Sequence, residues 1–281
     1  MTRITIIGLG LIGGSMARDL RSQMNVHVTG VDSNPLHLEK AKNMQLVHEV
    51  APLNLALKDA EIIILAIPVH AIQDLLPTIL TQIKEDQVVI DVGSTKEEIC
   101  KTVVDHSHRG RFVAAHPLSG TEFSGPEAAI RGLFVDKKNI ICDKNLSDEN
   151  ALAKAMSLFE SLGMETYYLN SRDHDKHLAY VSHLSHISSF TLSLTVLDIE
   201  KDESQIFNLA STGFESTARL AGSSPDTWTP IFEKNSVHLL EALDNYMNHL
   251  EKFKQAIISK NTTTLHSLMK EANDIRRVLK K

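Results

Sequence analysis

A chain of 281 residues, 42% hydrophobic and 23% charged, has the length for two domains and the composition of a globular protein. Its formal net charge of −6 gives no general attraction to nucleic acid or to an anionic membrane, so an anionic ligand must be held by local basic groups. Two cysteines, Cys100 and Cys142, make no disulfide framework and fit a reducing, cytoplasmic setting.

The first predicted strand, 3–7, starts the chain with no basic leader or cleavage site before it, so no signal peptide is expected. No apolar run reaches the roughly 18 residues of a transmembrane helix. Further β-branched runs predict strands at 26–31, 61–67, 87–91, 112–115, 139–142 and 165–169. Amphipathic stretches between them predict helices at 11–22, 35–43, 69–83, 96–105 and 147–162. Such alternation implies a mostly parallel sheet covered on both faces. After Leu169 no strand-like run follows. Three long helical patterns take over at 171–199, 226–259 and 261–279, with short helices and turns over 204–220. The expected fold is therefore α/β: a Rossmann-type domain over residues 1–169, then an all-helical domain over 170–281. A helix of about 30 residues spans ~45 Å, more than one small core covers. Leu239, Leu240, Leu243, Tyr246, Leu250 and Phe253 recur at helical spacing, an apolar stripe suited to a homodimer.

Gly8-Leu9-Gly10-Leu11-Ile12-Gly13 follows the first strand directly and opens a helix. The first glycine permits a tight turn, the second lets backbone approach a pyrophosphate, and the third lets helix and strand pack closely. The helix N-terminus adds free N–H donors and positive potential. The second strand ends at Asp32, 19 residues beyond Gly13, where a carboxylate meets a ribose 2′-hydroxyl. That carboxylate repels a 2′-phosphate and no arginine follows it, so NAD is expected over NADP.

A second landmark, His116-Pro117-Leu118-Ser119-Gly120-Thr121-Glu122-Phe123, leaves a strand at the carboxyl edge, where open α/β sheets bind ligands. Hydride loss from a carbinol needs an acceptor for the hydroxyl proton, and a histidine near pKa ~6.5 suits that task. Asp91-Val92-Gly93-Ser94-Thr95-Lys96 ends another strand at the same edge. Ser94 is a candidate to orient His116 or touch a nicotinamide, while Lys96 reads as a solvated helix residue. A metal site among His174, His177, His183 and His186 is not favoured, because hydride chemistry needs no Lewis acid. His174 and His177 read as solvated or interfacial.

Together, GLGLIGGS, DVGST and HPLSGTEFSG resemble the prephenate/arogenate dehydrogenase family, and the resemblance continues through VSHLSH at 181–186, GFESTAR at 213–219 and Trp228. It implies oxidative decarboxylation of prephenate to 4-hydroxyphenylpyruvate, or of arogenate to tyrosine, in tyrosine biosynthesis, with a helical dimerisation domain. It implies that His116 takes the ring hydroxyl's proton with help from Ser94, and that Arg219 holds a substrate carboxylate. His186, Ser182, Glu122 and Trp228 match pocket residues, and Gly8, Gly10, Leu11, Ile12, Gly13, Asp32 and Ser94 the cofactor site. Relatives often carry an aspartate where Ser216 stands, so an ion pair steadying Arg219 is expected to be missing. An added regulatory domain, present in some relatives, is not expected. Alternatives are a β-hydroxyacid or imine dehydrogenase of similar architecture, or a catalytically inactive NAD-binding dimer.

Overall fold

The computed structural model describes residues 1–201 and 206–279. Among these, eight strands form one sheet: β1 (Thr2–Ile7), β2 (Val26–Val31), β3 (Glu49–Val50), β4 (Ile62–Leu65), β5 (Val88–Asp91), β6 (Phe112–Pro117), β7 (Lys138–Cys142) and β8 (Glu165–Leu169). Their spatial order is β3-β2-β1-β4-β5-β6-β7-β8. Every pairing is parallel except β6 with β7. The short edge strand β3 had no sequence signal. Two residues of exposed and half-buried character are too few to alternate.

Central strands read as unbroken apolar runs because helices cover both faces. In β4, Ile62, Ile63, Ile64 and Leu65 are all at most 5% exposed. Ile62 and Ile64 join the core around Met16, Leu20 and Phe159, while Ile63 and Leu65 join that around Leu76, Ile79 and Phe112. Each such side chain contributes roughly 1.5–3 kcal/mol on burial.

Chain order reverses between β1 and β4, so the crevice at their carboxyl ends is the topological switch point where ligands bind. The helix Leu11–Gln23 starts from that crevice.

Beyond β8 the described chain is helical. The pattern expected at 171–199 is a helix, Ser171–Leu178, then a π-helical turn, Ala179–His183, then a helix, Leu184–Glu200. The region expected as turns from Ser204 begins outside the described residues. From Ile206 onward it holds short helical turns and the helix Thr212–Ala218. The long pattern at 226–259 is two helices, Pro225–Lys234 and Ser236–Ile258, interrupted at Asn235. By contacts the chain divides into two compact units, Met1–Asn235 and Ser236–Lys281. The sheet, the helices between Ser171 and Lys234, and every candidate site residue lie in the first unit.

Candidate active site

The glycine turn is built to receive backbone-approaching chemistry. Gly8 has φ +94, and a Cβ there would lie 2.3 Å from the Ala66 carbonyl oxygen on the β4 side of the crevice. A Cβ on Gly13 would lie 1.9 Å from the Gly8 oxygen, so helix and strand touch only because both positions are glycine. Around Gly10, by contrast, an added Cβ meets nothing within 4 Å. No side chain caps the helix that Gly10 opens, and no acidic residue lies in its first turn. Open space, uncapped N–H groups and a helix dipole fit a pyrophosphate. Asp32 closes the turn: Oδ2 accepts from the Leu9 N–H at 2.8 Å and Oδ1 from the Asn34 N–H at 2.9 Å. His37 Nδ1 lies 3.4 Å from the same carboxylate. These residues fit the ribose-pyrophosphate half of a dinucleotide.

At the carboxyl end of β6, His116 is 9% exposed. Its Nδ1 lies 2.9 Å from His174 Nε2, and His174 Nδ1 lies 2.7 Å from Asp175 Oδ1. Both histidines are neutral in this setting. Burial first, then the neighbouring His174, Lys96 and His183, hold the His116 pKa well below 6.5. Burial also lowers His174, against the pull of Asp175. No hydrogen bond joins Ser94 to His116; the partner of His116 Nδ1 is His174.

Two expectations need correcting here. His174 is not solvated but fully buried, 0% exposed, because it shares a helix face with Leu178, one turn on, which packs into the core. Lys96 is equally enclosed at 0%. Its ammonium pairs with Asp91 and donates to the Ala115 carbonyl at 2.9 Å, tying the ends of β5 and β6 together beside His116. Desolvation raises the Asp91 pKa, and the Lys96 charge opposes that rise. Sequence offered a weak signal for each: an acid five residues before a lysine at a strand end, and a histidine one turn from a core leucine.

A second cluster lines the helices. His186 stacks on Trp228 with ring centroids 3.4 Å apart, and His183 meets the same indole edge-on at 5.9 Å. The Ser182 carbonyl accepts from His186 Nδ1 at 3.0 Å, which leaves Nε2 as that ring's acceptor. The His183 ring, 1% exposed, accepts at Nδ1 from the Asn235 side chain at 3.0 Å, and burial lowers its pKa to about 4. Such a π-helical turn at 179–183 is a frequent companion of functional sites.

Arg219 remains 59% exposed and lies 3.8 Å from Glu122 Oε2. The ion pair expected to be lost with Ser216 is thus supplied from the loop after β6, while Ser216 Oγ donates to the Gly213 carbonyl. The arrangement offers a proton acceptor, a stacked aromatic wall and an exposed guanidinium, beside a dinucleotide turn. Among the described residues no group of three or more His, Cys, Asp or Glu side chains is arranged to hold a metal ion.

Two family models match the chain: prephenate dehydrogenase, nucleotide-binding domain, over residues 16–168, and prephenate dehydrogenase, dimerization domain, over 170–271. Cyclohexadienyl dehydrogenase of Zymomonas mobilis is 31% identical over 280 residues, covering 99% of this chain and 96% of the relative. The crystal structure of prephenate dehydrogenase from A. aeolicus in complex with hydroxyphenyl propionate and NAD+ matches with a TM-score of 0.90 at 28% identity, covering 99% of this chain and 98% of that one. Synechocystis arogenate dehydrogenase matches with a TM-score of 0.77 at 31% identity, over 99% and 100% of the two chains. The chain belongs to the prephenate dehydrogenase family.

Proposed function

We propose that this protein is an NAD-dependent dehydrogenase that oxidatively decarboxylates prephenate to 4-hydroxyphenylpyruvate, or arogenate to tyrosine, as a cytoplasmic homodimer. Residues 1–169 serve as the nucleotide domain and 170–281 as the substrate and dimerisation domain. One observation carries this reading: the neutral, buried His116 sits at the carboxyl edge of the same sheet whose switch point holds the glycine turn.

Gly8, Gly10, Gly13 and the N–H groups of the helix Leu11–Gln23 hold the pyrophosphate, and Asp32 takes the ribose hydroxyl. Bound NAD supplies the hydride acceptor. Arg219 anchors a carboxylate by charge-assisted hydrogen bonds. Trp228 and His186 wall the ring, and Ser182, Glu122 and Ser94 complete the pocket. His116 accepts the ring hydroxyl proton as the carbinol hydrogen departs as hydride, while the ring carboxylate leaves as CO2 and the ring becomes aromatic. Burying the base keeps it deprotonated at neutral pH, in the state that can accept.

Dimerisation is supported by the helix Ser236–Ile258. It exposes Leu240 at 60%, Met247 at 51%, Leu250 at 51% and Ile257 at 63%, along one seam of alternating seven- and three-residue steps. The test is an assay of NADH formation with prephenate and arogenate, using NAD and NADP in parallel. NADH from one or both substrates is expected, faster with NAD. No turnover of either would overturn the assignment.

A further inference from the structure

We propose that His174, held by Asp175, is a positioning residue that fixes His116 in its Nδ1–H tautomer and so makes Nε2 the proton acceptor. The inference deepens the reading of His116 as the base and rests on it.

Hydrogen-bond inventory leads there from one end of the chain of groups. The Asp175 carboxylate can only accept. Its Oδ1 takes the Lys96 N–H at 2.8 Å and His174 Nδ1 at 2.7 Å, and its Oδ2 takes the Glu97 N–H at 2.8 Å. Two backbone N–H groups fix it against the loop after β5. His174 Nδ1 must therefore carry a proton. In a neutral ring Nε2 is then a lone pair, and its partner 2.9 Å away is His116 Nδ1. For a hydrogen bond to exist there, His116 Nδ1 must donate. His116 Nε2 is left as the acceptor, and no other described group bonds to it.

The competing arrangement needs a doubly protonated His174 that donates to His116, leaving the proton on Nε2. That places a second cation in a site where His174 is 0% exposed and the Lys96 ammonium is already enclosed. Asp91 already pairs with Lys96, and Asp175 is shared among three donors. His183, the remaining titratable neighbour, is neutral. Desolvation of that second cation outweighs the pull of Asp175, whose oxygens already serve two backbone donors. The neutral arrangement wins. When Nε2 gains the substrate proton, the resulting imidazolium keeps its Nδ1–H bond to His174, and Asp175 polarises the pair toward that charge.

The tautomer can be read directly in the full-length protein labelled with 15N-histidine. Multiple-bond proton–nitrogen spectra distinguish the two neutral tautomers, and the His116 signals are those lost in His116→Asn. Wild type should show His116 protonated at Nδ1, and His174→Leu should move protonation toward Nε2. In NADH assays with prephenate, His174→Leu should lower kcat by roughly 10–100-fold with KM values within about 3-fold. His174→Gln, whose Oε1 can still accept from His116 Nδ1, should recover most of that loss. His116 protonated at Nε2 in wild type would overturn the proposal. So would a tautomer unmoved by His174→Leu, or equal loss in the leucine and glutamine variants. If His174→Leu does not fold, the wild-type tautomer decides alone. Because the spectrum needs no turnover, failure of the proposed reaction and failure of this inference remain distinguishable.

Discussion

Lowering the pH should destabilise this protein through His183, and the size of the effect follows from its surroundings. The ring is 1% exposed, and its pKa falls from 6.5 to about 4. Desolvation is the largest cause; Asp175 opposes it, while His174 and His186 add to it. Above pH 6.5 the ring is neutral in both folded and unfolded chains and adds no slope. Between pH 6.5 and about 4 the unfolded chain takes up a proton that the folded chain refuses, so stability falls as pH falls. At about 1.4 kcal/mol per pH unit, that window accumulates roughly 3 kcal/mol from this one residue. The perturbation is His183→Asn, whose Oδ1 can still accept from Asn235. Urea unfolding followed by circular dichroism, at fixed protein concentration, should show a shallower acid slope in the variant than in wild type. His116, His174 and His186 act in the same direction and remain in both proteins. Parallel slopes for the two proteins across this window would refute the linkage argument, whatever the variant's stability at neutral pH.

Because burial first, then the neighbouring His174, Lys96 and His183, lower the His116 pKa, the acid limb of kcat/KM should lie well below pH 6.5, not at the value of a free imidazole; a limb centred at 6.5 would mean that the base is solvated. Arg219→Ala should raise KM by ~10–100-fold with a smaller change in kcat, as for a charge-assisted contact made in ground and transition states alike; an unchanged KM would release Arg219 from substrate binding. Asp32→Ser should weaken NAD by ~1–2 kcal/mol and narrow its lead over NADP, measured as the ratio of kcat/KM values. Leu240→Asp with Leu250→Asp, on the exposed seam, should convert the dimer to monomer in light scattering; a wild-type mass near the 31.2 kDa of one chain would refute the dimer itself.

Apart from β3, the strands were legible because they are short β-branched runs closed by turn residues, and the mostly parallel order follows from the helices between them. The glycine turn and His116 were legible for the same reason, since a strand end fixes where a motif lies. Lys96 and His174 were not. A charged or titratable side chain reads as solvated until its partners are known, and those partners lie far off in sequence: Ala115 for Lys96, and His116 for His174. The break at Asn235 was hidden in a continuous helical pattern, because its cause is tertiary. The Asn235 side chain turns inward to the Asp175 carbonyl at 2.8 Å and to His183. The Glu122 partner of Arg219 was likewise invisible, lying on a loop nearly a hundred residues away.

The central claim is that His116 is the base for hydride loss. Its most direct measurement is single-turnover formation of NADH in a stopped-flow instrument, with saturating NAD and prephenate, for wild type and His116→Asn. Asparagine can hold a hydrogen bond but cannot take a proton at neutral pH. The burst rate should fall by roughly 10²–10⁴ while NAD binding, followed by fluorescence quenching, stays unchanged. A burst of ordinary rate in His116→Asn would contradict the account.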